Sequence, residues 1–418
     1  MTGENSFNRQ GLSFSKRGEG TILSQLFSSF WMAGFESACH INSHGQRLDM
    51  IAAVQHDSEA DQDYRLIREM GMRSARDGVR WNLIDRGGHY DFSSLLPLAD
   101  AAQRHGVQVV WNILHYGWPE DLDLFSPQFV DRFAKFAGAV ARFFANRSDQ
   151  VPFYAPVNEI SFFSWAATRE CMYPFAFGRD GELKRQLVRA AIAACEAVWQ
   201  VDKRARFVYP EPTINNVPAA KQPELTEPAA RQTASQFEAW DMIAGYAAPE
   251  LGGQPKYLDI LGSNFYHNNQ WEVPGGEKIH WHIHPRDPRW VPLHRMLQNI
   301  QQRYRRPLML AETSHVGVGR AEWIIEIAQE IQLARQNGVE IEAVCLYPIL
   351  DRFDWDDPNH WHNSGLWDLR LTEDGQYERV LNLPYAEGLR TAGEMLGEPI
   401  GGEGQNRDPK SAAVSVTK

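Results

Sequence analysis

Three consecutive stretches, VQVVWNI (107–113), PQFVDRFAKFAGAVARFFAN (127–146) and VPFYAPV (151–157), decide how this chain folds. The first and third are short, nearly continuous apolar runs, the pattern of strands buried on both faces of a parallel sheet. Between them Phe129, Phe133, Phe136, Val140 and Phe143 recur every three or four residues and so mark one face of a helix. Ser126 and Pro127 supply an N-cap and a first helical residue. The same alternation continues outward from this unit. Strands are expected at 30–35, 72–76, 205–210, 258–264, 307–311 and 342–347, and helices near 61–70, 95–105, 182–202, 235–246, 290–304, 320–337 and 384–396. Eight of each describe an α/β fold, a (β/α)8 TIM barrel with decorated βα loops, whose catalytic residues stand at the C-terminal ends of the strands. An open doubly wound sheet is the rival topology, but no GxGxxG or GxxxxGK[ST] follows an early strand.

At 418 residues the chain is long for one domain, yet a decorated barrel reaches this size. A single unit is expected over 26–400, because no linker interrupts the alternation. The polar, Gly/Ser-rich segments 1–25 and 401–418 are expected to be disordered. With 42 Lys and Arg against 53 Asp and Glu, the net charge of −11 argues against nucleic acid or an anionic membrane as partner. No apolar run approaches the roughly eighteen residues of a membrane span, and no signal segment opens the chain, so it reads as cytoplasmic. Cys39, Cys171, Cys195 and Cys345 are far apart and lack the spacing of a disulfide framework or zinc module; buried thiols are expected.

On a barrel, chemistry is sought where strands stop. Those positions carry Glu36, Arg76 with Arg80 and Trp81, Asn112 with His115, Asn158 and Glu159, Glu211, Asn264 with Tyr266, Glu312, and Tyr347 followed by Asp351, Asp354 and Trp355. Glu159 in VPFYAPVNEI and Glu312 in PLMLAETS each follow an apolar run that would bury a charge unless it were paired or solvated. Two carboxyls at one barrel mouth suit glycosidic bond cleavage, one protonated to assist the leaving group and the other ionised. Each could equally be held in a salt bridge with a neighbouring arginine.

At this point the sequence resembles the family 1 glycoside hydrolases, the β-glucosidase-like, retaining members of the clan A barrels. The likeness lies in Arg76 and Trp81 of ARDGVRW, His115 and Pro119 of HYGWP, Asn158-Glu159, Asn264-Phe265-Tyr266, Glu312, and YPILDRFDW (347–355), in the family's order over residues 30 to 370. The resemblance implies a retaining β-glycosidase that cleaves the non-reducing-end sugar of a small glycoside or oligosaccharide, without cofactor or metal. It implies Glu159 as acid/base, Glu312 as nucleophile, and Arg76 and Tyr266 as groups that orient the nucleophile and keep it ionised. Asn158 would bind the sugar 2-hydroxyl. Glu36, His115, Asp354 and Trp355 would hold the sugar, with Tyr347 in the place of a stacking tryptophan. Relative to the family, Glu36 stands for a glutamine, Asp354 for a glutamate, Tyr347 for a tryptophan, and Ala-Glu-Thr-Ser for Thr-Glu-Asn-Gly around the nucleophile. The departures fall in the sugar-recognition shell.

Other signals compete. His280, His282 and His284 in HWHIHP alternate and could gather a metal on one face of an extended segment, the basis of a metal-dependent hydrolase reading. Trp271, Trp281 and Trp290 in the same insertion could stack a second sugar or an aromatic aglycone. His40 and His44 are expected on a surface loop. Glu211 is expected either to touch sugar or to pair with a base. A carbohydrate-binding barrel without turnover, and a transglycosidase using the same two glutamates, are the remaining alternatives.

Overall fold

Parallel neighbours cannot be joined by a tight turn, so every strand must be followed by a crossover. The computed structural model, which describes residues 26–401, has eight such strands. They are β1 (Trp31–Gly34), β2 (Ser74–Gly78), β3 (Gln108–Leu114), β4 (Phe153–Val157), β5 (Arg206–Pro212), β6 (Ile260–Asn264), β7 (Leu308–Thr313) and β8 (Ile341–Leu346). They pair in parallel in chain order, and β8 returns to β1 to close the barrel. Each expected strand overlaps one of these. The crossovers carry α1 (Ala60–Glu69), α2 (Leu96–Arg104), α3 (Pro127–Ala145), α4 (Asp180–Trp199), α5 (Glu238–Ala244), α6 (Leu293–Tyr304), α7 (Arg320–Gln336) and α8 (Leu383–Leu396). Shorter helices and three two-stranded ribbons decorate the loops. The expected terminal segments lie, apart from Gly401, outside the described residues.

The apolar runs are buried on both sides, as their composition demands. Outside the barrel, Phe129, Phe133 and Phe136 of α3 enclose Trp81, which follows β2 in the short helix Trp81–Ile84, at centroid distances of 5.4, 5.0 and 5.6 Å. Inward-facing Met32, Val110, Ala155, Val208, Met309 and Ala343 fill the barrel. Phe27 closes its N-terminal end against Phe153, 5.3 Å away. The opposite end is left to polar side chains. Ser126 is the N-cap of α3 by position, but its hydroxyl donates back to the Asp123 carbonyl (2.7 Å) and caps no amide. Among the described residues no helix is long and apolar enough to cross a membrane.

Candidate active site

The last turn of each strand is tied to its neighbour, and this fixes the residues just beyond it. The amides of Phe35, Val79, Phe265 and Tyr347 donate to the carbonyls of Arg76, Asn112, Glu312 and Thr313 at 2.9–3.1 Å. Asn158 and Glu159 donate in the same way to Leu114 (2.9 Å) and Pro210 (3.0 Å). Glu159 adopts a left-handed backbone, φ +46°, where β4 turns abruptly into the short helix Ile160–Ala166. A non-glycine residue is held there only when its surroundings over-determine it. The surroundings in this case are β5: Glu211, fully buried, accepts the Ser161 amide at 3.0 and 3.4 Å. Burial pushes the Glu211 carboxyl up to about 7. Glu211 thus neither lines the cavity described below nor forms an ion pair among the described residues; it braces the segment that carries Glu159.

Glu312 on β7 is 4% exposed. Its Oε1 accepts from Arg76 Nη1 (3.0 Å) and its Oε2 from the Tyr266 hydroxyl (2.7 Å). Arg76 is buried without exposure and is anchored four ways, its other partners being the Ala311 carbonyl (2.6 Å), Asn158 Oδ1 (2.8 Å) and Asn112 Oδ1 (3.2 Å). A buried carboxyl therefore has a fixed counter-charge on one oxygen and a neutral donor on the other.

Glu159 is treated differently. It is partly exposed and receives only neutral donors, the Tyr116 hydroxyl at 2.7 Å and Asn264 Nδ2 at 2.9 Å. Desolvation, reinforced by the nearby charge of Glu312, raises its carboxyl to about 8 despite those hydrogen bonds. Asn264 ties the two together: it touches Glu159 and is the register partner of Glu312 in the β6–β7 ladder. Two carboxyls in one cavity with environments this unequal are the arrangement that assigns acid and base roles.

The floor beside them is a closed polar network. Asn158 accepts from Arg76 through Oδ1, so its Nδ2 is the group 3.1 Å from both His115 Nε2 and the Tyr116 hydroxyl. His115 Nε2 must then accept, and Nδ1 donates to Ser37 Oγ at 2.8 Å. Burial and the Arg76 charge hold this imidazole well below its usual range, so it is neutral. Glu36 accepts from the Ala38 amide (3.0 Å) and the Tyr347 hydroxyl (3.3 Å) and faces Arg352 Nε at 3.4 Å. Burial raises the Glu36 carboxyl as well. Tyr347 lies deep, 2% exposed, with its ring across β1. A Cβ on Gly34 would come within 2.2 Å of Tyr347 Cδ2, so this approach requires glycine.

These residues line a cavity of about 390 Å³ at the C-terminal end of the barrel. Glu36, His115, Asn158, Glu159, Tyr266, Glu312, Tyr347 and Trp355 all reach it, and Arg76 supports it from beneath. Asp354 stands apart from that lining: its Oδ1 accepts the amides of Asp356 (2.9 Å) and Asp357 (3.3 Å) and its Oδ2 meets His362 Nε2 at 3.1 Å. It shapes the loop that brings His362 and Ser364 to the cavity. Both hydrogens and one acceptor of the Asn158 amide are engaged within the protein. His40 is buried, not on a surface loop, with its ring 4.7 Å from that of Trp355. Trp281 packs on Trp323 (5.2 Å) and Trp290 on Phe265 (6.4 Å), which leaves Trp271 as the one tryptophan of the three that lines the cavity. His280, His282 and His284 are exposed, and no group of three or more His, Cys, Asp or Glu among the described residues is placed to hold a metal ion.

Three contributors were not singled out by the sequence as site residues. Tyr116 was visible only as the neighbour of His115 in HYGWP; its φ of +66°, which swings the side chain toward Glu159, leaves no signature in composition. Phe162 reaches the cavity from the short helix Ile160–Ala166 and Arg352 from the loop after β8, and no periodicity reveals either placement.

No family model matches the sequence, and no curated protein does. Solved structures do. The chain is similar to the β-glucosidase of Thermotoga maritima in complex with deoxynojirimycin, with a TM-score of 0.68 at 14% identity over 90% of this chain and 99% of that one. The complex of that enzyme with castanospermine aligns with a TM-score of 0.68 at 16% identity, and the structure described as a family 1 β-glucosidase with 0.68 at 15%, each over 91% of this chain and 99% of the other. At such identities the likeness establishes the fold, a closed eight-stranded parallel barrel ringed by helices, shared along nearly the full length of both chains.

Proposed function

We propose that the chain is a retaining β-glycosidase of the family 1 kind, which releases the non-reducing-end sugar of a small glycoside or oligosaccharide by double displacement. The observation that carries this reading is the unequal pair: Glu312 faces the Arg76 guanidinium, while Glu159, desolvated and served by neutral donors, keeps its proton to higher pH. In the first step a Glu312 oxygen bonds to the anomeric carbon as the glycosidic bond breaks, and the Glu159 proton passes to the departing oxygen. In the second, the Glu159 carboxylate takes a proton from water as that water displaces Glu312 from the anomeric carbon. Arg76 and Tyr266 hold Glu312 in line; Glu36 presents an acceptor to sugar hydroxyls; His115, its two nitrogens engaged by Asn158 and Ser37, walls the sugar pocket; Trp355 offers an apolar face. The similar β-glucosidase was solved with deoxynojirimycin and with castanospermine, which supports a small carbohydrate as the ligand of this chain.

The test is a panel of nitrophenyl glycosides of both anomers with product stereochemistry read by NMR. Retention of configuration is expected. Glu312→Ala loses turnover, and azide restores it as the glycosyl azide of opposite anomeric configuration. Full activity in that variant overturns the nucleophile. Tight sugar binding with no turnover of any glycoside makes the chain a carbohydrate-binding barrel, and transfer to an added sugar in preference to water makes it a transglycosidase.

A further inference from the structure

The acidic groups of the cavity, Glu36, Glu159 and Glu312, lie on its floor. The rim is the opposite. There the segment Gln270–Val273 turns at Pro274–Gly276 and returns, with the Ile279 amide donating to the Gln270 carbonyl (3.0 Å) and the Glu272 amide to the Glu277 carbonyl (2.8 Å). This pairing sets Lys278 opposite Trp271 and places its ammonium 4.6 Å from the centre of the indole ring. Both side chains line the cavity. Lys278 makes no ion pair among the described residues: the neighbouring acid Glu272 is held by Arg289 at 2.6 Å, and burial alone draws the ammonium below its usual range with no acid to offset it. In a chain of net charge −11, a cation that lines the cavity, packs on an indole face and has no ion-pair partner among the described residues is a binding group open to an anion. The rest of the lining is mixed: Phe162, Trp355, Ile214 and Val316 add apolar surface, and His267, Asn268, Asn269, Ser314 and His362 are polar.

We propose that the rim of the cavity recognises a leaving group that is aromatic and carries an anionic substituent, with Trp271 as its stacking face and Lys278 as its counter-charge. This rests on the glycosidase reading for the term leaving group, and it deepens that reading by naming the aglycone class. The charge belongs on the aglycone because a carboxylate on the sugar itself would sit among three carboxyls. The flat ring follows from the indole face and from the apolar surface that Phe162, Trp355, Ile214 and Val316 contribute beside it.

The experiment is calorimetric titration of the intact chain with 4-carboxyphenyl and 4-carbamoylphenyl 1-thio-β-glycosides, in gluco and galacto pairs, which bind without being cleaved. The acid is expected to bind about tenfold more tightly than the amide at low ionic strength, with the advantage shrinking as salt is added. Lys278→Met brings the ratio of the two affinities close to one, and Lys278→Arg retains it. Equal affinities in the wild type, no binding of either member of both pairs, or a ratio that survives Lys278→Met overturns the proposal. Hydrolysis of the matching O-glycosides separates the two readings: turnover without preference for the acid leaves the glycosidase standing and sinks the rim site, whereas preference without turnover does the reverse.

Discussion

Tyr116 and burial act on Glu159 in opposite directions. Desolvation and the Glu312 charge raise the carboxyl, and the phenol, by donating to Oε2 at 2.7 Å, stabilises the ionised form and restrains the rise. An acid catalyst must be protonated, so activity declines as pH climbs through the value of Glu159, about 8. Tyr116→Phe removes the restraining donor and moves the alkaline limb of the kcat/KM profile to higher pH; an unchanged limb, or one displaced downward, separates Glu159 from the acid role. The same residues explain what the sequence could disclose. Glu159 and Glu312 stood out because each ended an apolar run that has no use for a charge. Tyr116 did not, because a tyrosine beside a histidine at a strand end has many uses, and only the backbone twist at φ +66° selects this one. Asp354 occupied the motif position of a sugar ligand, but its short side chain satisfies the two amides following it in its own loop before it can reach the cavity.

At the scale of elements, the segment from β4 into Ile160–Ala166 shows how one strand disciplines another. The carbonyl of Pro210 and the carboxyl of Glu211, both on β5, accept the amides of Glu159 and Ser161 and hold the left-handed turn between them. Glu211→Ala leaves the Ser161 amide without its acceptor in a buried place, which costs about 1–3 kcal/mol. It also lets Glu159 relax toward an ordinary backbone, so kcat falls more than stability alone explains. Glu211→Gln keeps an oxygen in position and recovers most of both. Denaturant melts and kcat for the three proteins check this; equal kcat in wild type and Glu211→Ala refutes the brace. Strands such as β3 and β4 were legible because burial on both faces forces unbroken apolar runs. The antiparallel ribbon Trp367–Leu371 with Tyr377–Leu381 was not, since most of it is only half-buried and its sequence, WDLRL against YERVL, carries only a faint alternation. The ribbon 270–279 that presents Trp271 was hidden for the same reason.

At the scale of the whole molecule, the ribbon that follows β8 is locked to the first βα unit by a buried cluster behind β2. His56 lies between two carboxylates, Asp63 of α1 at 2.8 Å and Asp77 of β2 at 3.1 Å, with its ring stacked 3.8 Å from that of Phe35. Arg379, from the C-terminal ribbon, reaches Asp63 through Nε at 2.7 Å and Nη2 at 3.1 Å, and Tyr64 donates to Asp77 at 2.9 Å. All are essentially unexposed. Two carboxylates against one guanidinium leave a buried charge that the protein neutralises by protonating His56, which the aspartates raise to about 9 although burial works against it. The sign follows: an imidazole raised in the folded state from its ordinary 6.5 contributes its full stabilisation below that pH and loses it as pH rises through about 9. The span corresponds to stability on the order of 3 kcal/mol. Thermal melts at fixed ionic strength should therefore fall between pH 6.5 and 9. His56→Gln, which can hydrogen-bond but not titrate, should melt lower at pH 6.5 and lose much less over the same interval, whereas raised carboxyls such as Glu159 add the same downward slope to both proteins. Parallel melting curves for the two across that interval would show that the lock between the ribbon and α1 is held by shape and neutral hydrogen bonds, with no proton on His56 involved.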